Sequence, residues 1–99
     1  LERVRKLTAG VSVDCALDCS GAVVAHRLCI DASRRRGQVA FVGQCHDETP
    51  LRVSADMISK GLTLMGSWHY NLKNVSHIWQ VIRQSSDALD RLISHTLLM

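Results

Sequence analysis

The stretch Asp18-Cys19-Ser20-Gly21 places small polar residues directly after a short apolar run, and a helix-like segment follows at once. The layout returns at Val39-Ala40-Phe41-Val42-Gly43 and at Leu64-Met65-Gly66-Ser67. Just past the carboxyl end of a strand, backbone groups are not all used by a ladder, and small side chains let a flat ligand come close. The residues placed for such binding are Cys19, Ser20 and Gly21, then Val42 and Gly43, then Met65, Gly66 and Ser67. The plain alternative is that serine and glycine there only make turns. No residue is assigned a catalytic role.

Metal chemistry has less support. The four cysteines, Cys15, Cys19, Cys29 and Cys45, are irregularly spaced with no Cys-x-x-Cys, and the five histidines are scattered. No metal ligand is assigned. The cysteines read as reduced and partly buried, as in a cytoplasmic protein. Net charge is +3, with a local run at Arg34-Arg35-Arg36. A run of that kind serves either a phosphate patch or a helix C-terminus whose dipole it complements, and the second reading is preferred here. With no nucleic-acid motif and 4% aromatic residues to stack bases, no nucleic-acid partner is expected.

The elements that must hold the three strand ends follow from periodicity. Residues 1–9 read as a helix stopped by Gly10. Residues 13–18 read as a strand with Val13, Cys15 and Leu17 on one face. Residues 22–35 read as a helix that buries Val24, Ala25, Leu28, Cys29 and Ala32, with Gly37 as its stop. Residues 38–42 suit the interior of a parallel sheet, and a polar loop follows to Pro50. Ser54 is a fair N-cap for a short helix with Met57 and Ile58 turned inward. Residues 62–67 form a third strand. Asn71 caps a last helix to about Gln84, whose stripe Val75, Ile78, Trp79 and Ile82 makes Trp79 a core residue. A short strand at 92–95 is also expected. Alternating strands and helices mean an α/β fold with parallel strands and right-handed crossovers, here half of a doubly wound sheet.

At 99 residues and 46% apolar content, the chain makes one small domain. No apolar run reaches the roughly 20 residues that span a bilayer, so no membrane role is expected. The first residue is Leu, which reads as a fragment or a processed piece.

Four segments together resemble the zinc-dependent medium-chain alcohol dehydrogenases, and their polyol- and threonine-dehydrogenase-like members in particular. They are Leu17-Asp18-Cys19-Ser20-Gly21, Gly37 to Gly43, Lys60 to Trp68, and Leu89 to His95. The resemblance implies that residues 1–99 are the second half of a Rossmann-type NAD(P)-binding domain. It implies that the eight residues at the strand ends form the nicotinamide side of an NAD or NADP site. Zinc, in the parent family, would polarise the alcohol oxygen. The chain has no Gly-x-Gly-x-x-Gly to cradle the pyrophosphate, and neither of the family's zinc-ligand sets is matched. It is therefore not expected to be catalytically active alone. The alternative is a self-associating structural or interaction module, derived from a dehydrogenase, that binds no cofactor. In either case a bare apolar edge at residues 13–18 predicts a homodimer or larger assembly.

Overall fold

The structure, a computed structural model, describes residues 1–97. It divides into two compact units, Leu1–Trp68 and a second from His69 onward.

In the first unit the elements are α1 (Glu2–Leu7), β1 (Val13–Asp18), α2 (Val23–Ala32), β2 (Ser33–Phe41), a π-helical segment (Val53–Ile58) and β3 (Thr63–Gly66). The three strands form one parallel sheet in the order β1-β2-β3. This is the expected α/β arrangement of three parallel strands with flanking helices. The close ladder pairs Cys15–Asp18 with Gln38–Phe41, and Gln38–Phe41 in turn with Thr63–Gly66. Ser33 pairs with Val13 across a bulge at residues 34–37.

The helix expected over 22–35 stops at Ala32, three residues early. Lys60 is the reason. Its ammonium donates to the carbonyls of Ile30 (2.9 Å), Asp31 (3.3 Å) and Ser33 (3.0 Å), which caps the helix end from another part of the chain. The Ser33 hydroxyl closes on the Cys29 carbonyl at 2.8 Å. The arginine run therefore does not complement the helix dipole. Arg34 pairs with Asp14, Arg35 donates to the Ser59 carbonyl, and Arg36 takes a left-handed φ of 60° in the bulge.

Burial departs from expectation at Cys15, read as partly buried, and along the stripe of α2. On β1 the covered side is that of Ala16 and Asp18, while Cys15 is exposed and Leu17 is 62% exposed. α2 packs on one side of the sheet, and in a strand successive side chains alternate faces, so Leu17 takes the open side. On α2 the buried residues are His26, Ile30 and Ala32, and Val24 and Leu28 face outward. The stripe is rotated because the helix turns a histidine and an isoleucine toward the sheet. The buried apolar core among the described residues is small: Ile30, Ala32, Val39 and Leu62.

The short helix after Ser54 is a π-helical turn with no side-chain cap. Asp56, not Met57 or Ile58, is its buried residue. Asp56 accepts from Arg27 Nη1 (2.7 Å) and Nη2 (2.9 Å), from Arg52 Nη2 (2.9 Å) and from the Arg52 amide (2.9 Å). Arg27 also donates to Asp31. This network pins the segment to α2.

The second unit holds a 3₁₀ turn (Leu72–Asn74), α3 (Val75–Gln84) and α4 (Ser86–Asp90). Asn71 accepts from the Lys73 amide at 3.0 Å, so it caps the 3₁₀ turn that leads into α3. Trp79 is 57% exposed, not core. Among the described elements of its unit, α3 packs beside the 3₁₀ turn and α4, too little structure to cover an indole. Residues 92–95 form no strand, and α4 was not anticipated.

Candidate functional site

The ladder sets Asp18, Phe41 and Gly66 side by side, so the three strands end in one row. The segments singled out from sequence lie at or just past that row. Cys19 and Ser20 are exposed, Gly21 and Gly43 are half-buried, and Val42, Gly66 and Ser67 are exposed. Met65 is set apart. It stands one residue before the row, in register with Ala40, and lines a groove of about 240 Å³ with Cys15, Leu17 and Gln38 on the open side of the sheet.

The first two ends touch closely. A Cβ on Gly21 would lie 2.0 Å from the Gln44 carbonyl oxygen, and one on Gly43 would lie 2.2 Å from the Gly21 nitrogen. Gly21 also has a φ of 67°, which glycine adopts without strain. Gly21 is thus required by the backbone of Gln44, and Gly43 by the backbone of the Cys19–Gly21 turn. Gly66 is different, because a Cβ there would meet nothing within 4 Å.

Asp18, at the end of β1, had no assigned role in the sequence reading. It is 3% exposed. Its carboxylate accepts from the Ser20 hydroxyl (2.7 Å), the Ser20 amide (3.2 Å) and the Gly21 amide (3.0 Å). Its main-chain carbonyl accepts from the amides of Val42 (2.8 Å) and Gly43 (3.1 Å). The Ser67 amide, at the third end, donates to the Phe41 carbonyl at 2.9 Å. The Ser20 hydroxyl chiefly, and the two amides with it, hold the Asp18 carboxyl below the usual carboxylate range against the opposing effect of burial.

Behind Asp18 stands His26 of α2, 7% exposed. Its Nε2 lies 3.2 Å from Asp18 Oδ2 without hydrogen-bond alignment. Its Nδ1 lies 2.6 Å from Thr49 Oγ1, and its ring meets Phe41 edge-on with centroids 5.0 Å apart. Nearby, burial pushes the Cys29 thiol up, with the Asp18 carboxylate and Cys19 adding to it. An Asp two residues before a Ser is a recognisable turn signal in sequence. The meeting of His26 and Thr49, 23 residues apart, carries no such signal.

All four cysteines are free. Among the described residues no group of three or more His, Cys, Asp or Glu is placed to hold a metal ion. No described helix is long and apolar enough to cross a membrane.

This geometry has relatives. A probable alcohol dehydrogenase from a Pseudomonas species is 41% identical over 68 residues, covering 67% of this chain and 21% of that protein. The alcohol dehydrogenase of Thermotoga maritima superimposes with a TM-score of 0.85 at 22% identity, over 95% of this chain and 26% of its own. The alcohol dehydrogenase TADH of Thermus sp. ATN1 gives 0.80 at 22% identity, over 95% and 27%. The chain spans about a quarter or less of the length of these proteins. At such identities the solved structures speak for the fold. The family does not rest on them, because residues 1–87 match the sequence model described as zinc-binding dehydrogenase. With strands, turns and helices of the first unit all inside that match, the chain belongs to the zinc-binding dehydrogenase family.

Proposed function

We propose that the strand-end row forms the nicotinamide side of an NAD(P) site in a zinc-type alcohol or polyol dehydrogenase, and that these 99 residues are not catalytic by themselves. The observation that carries this reading is the register Asp18-Phe41-Gly66, which aligns three carboxyl ends of a parallel sheet. Ligands of open α/β sheets bind beyond such ends.

The row fits the flat amide-bearing ring in two respects. Open space at Gly66 leaves one end approachable. The amides of Ser20, Gly21, Val42, Gly43 and Ser67 are already engaged by Asp18 and Phe41. Recognition at this edge therefore falls to carbonyl oxygens, which suit the NH₂ of a carboxamide. The cofactor, when bound, supplies hydride acceptance, and this chain's part is to hold and orient it. The metal centre is not assigned to these residues, because the described side chains assemble no ligand cluster. A cytoplasmic location is part of the same proposal.

The test is a calorimetric titration of the folded chain with NADH. Saturable binding, even at millimolar strength, supports the site. No heat from folded protein overturns it for this chain.

A second reading has its own observation. β1 is an edge strand, and its Leu17 stands with Ala40 of β2 and Met65 of β3 on the open side of the sheet. A bare parallel edge beside an apolar groove invites a second copy. A self-associating module that binds no cofactor would combine large assemblies in light scattering with a silent NADH titration.

A further inference from the structure

We propose that Asp18 is the positioning residue for the whole strand-end row, holding the Cys19–Gly21 turn through its carboxylate and the Val42–Gly43 turn through its main-chain carbonyl. His26, tethered to Thr49, backs the carboxylate. The proposal rests on the reading of this row as a cofactor edge, and its test separates the two.

The argument starts from satisfaction of buried polar groups. A carboxylate that is 3% exposed must find donors, and Asp18 finds them in its own turn: two amides and one hydroxyl, all at 2.7–3.2 Å. A buried anion held by several backbone N–H groups is a rigid arrangement, because moving the turn strips the charge of its partners. The same residue's carbonyl receives two amides of the neighbouring turn. One residue therefore fixes two of the three ends. The third end is fixed through its ladder neighbour Phe41, whose carbonyl receives the Ser67 amide and whose ring abuts His26.

His26 gives the arrangement its reach. The imidazole stands between Asp18 Oδ2, 3.2 Å from Nε2 without hydrogen-bond alignment, and Thr49 Oγ1, 2.6 Å from Nδ1, so the end of the polar loop is held beside the same anion. Among the described residues, the titratable groups that interact electrostatically with Asp18 include this imidazole and, from the same helix, the Cys29 thiol. A residue that only filled space here would need neither charge nor donors. The close approach of Gly21 to Gln44 makes the position demanding, since a small shift of one turn displaces the other.

The experiment uses the ¹⁵N- and ¹³C-labelled 99-residue chain and its Asp18→Asn variant. Asparagine keeps the shape but turns an NH₂ toward one of the donors. The expected result is amide exchange at Gly21 about tenfold or more faster, with exchange at Val39 in the sheet interior unchanged. Exchange at Gly21 within about twofold of wild type in folded D18N overturns the proposal.

The wild-type chain decides the matter if D18N does not fold. At pH 3.8, where an ordinary Asp is half protonated, the Asp18 carboxyl is expected to remain more than half ionised, with the Ser20 and Gly21 amide resonances moving together with its carboxyl carbon as it titrates at lower pH. A carboxyl that titrates in the ordinary range without moving those amides overturns the assignment. NADH titration of both proteins is the separate arm. Weaker binding by D18N, by about tenfold, supports positioning of a cofactor edge. Equal binding by both proteins overturns it. Silent titrations with the exchange result intact defeat the cofactor reading and leave Asp18 as the residue that orders the row.

Discussion

The backbones of Gly21 and Gly43 approach so closely that a side-chain carbon on Gly43 would sit 2.2 Å from the Gly21 nitrogen. The contact joins the turn after β1 to the turn after β2, and Asp18 bonds to both turns from beneath. Loop positions with this little freedom belong to an edge whose shape matters.

Glycine substitutions should therefore divide sharply. Gly21→Ala forces a left-handed φ on alanine and drives its Cβ into the Gln44 carbonyl. It should cost about 2 kcal/mol or more, read as a lower urea midpoint. Gly66→Ala should change stability by less than about 0.5 kcal/mol, because its Cβ meets open space. The same G66A chain should bind NADH less well, because the methyl group fills the space proposed for the ring. Equal loss of stability in the two variants would contradict the packing described here.

Asp56 should be the most costly charge to remove. It is 2% exposed and takes donors from Arg27 and Arg52. Asp56→Asn should destabilise by on the order of 2 kcal/mol. That is less than the ~3–5 of a fully enclosed pair, because both arginines reach solvent. Thermal melting of D56N against wild type checks this, and an unchanged melt would mean that the π-helical segment is not held by its ion pairs.

Acid stability follows from three carboxylates. Hydrogen bonds from Arg27 foremost, and then Arg52, hold Asp56 far below the usual range. Arg27 lowers Asp31, and the Ser20 hydroxyl chiefly lowers Asp18. Each group has a folded pKa below its unfolded value. Its stabilisation is therefore fully present above the unfolded pKa of about 3.9 and is lost as pH falls through the folded value. Denaturant midpoints should be flat with respect to these groups from pH 7 to about pH 5 and fall steeply below about pH 4. In D56N the acid limb should be shallower. A wild-type midpoint that holds level down to pH 2 would refute the assignment.

Self-association is the remaining expectation. Leu17 is 62% exposed on the edge strand, next to Ala40 and Met65 in the groove. Light scattering should find a dimer or larger species, and Leu17→Lys with Met65→Lys should shift it toward monomer. A dilute, monodisperse wild-type species of 11.0 kDa would sink the idea.

The linear order of residues was enough to place β1, β2 and β3 and their small-residue ends, because strand runs and Ser-Gly turns are local patterns. The membership of a dehydrogenase family was legible for the same reason, since its carriers are short contiguous segments. What lay beyond reach was every feature made by distant partners. Lys60 ends α2 from 27 to 30 positions away, so the helix stops at Ala32 and not at Gly37. Asp56 is buried because Arg27, 29 residues earlier, meets it. His26 lies inside because Asp18 and Thr49 flank it. Periodicity announces that a strand has two faces. Only the covering helix decides which one is dry, and so Leu17 faces out while Asp18, the charged residue beside it, is buried and orders the row.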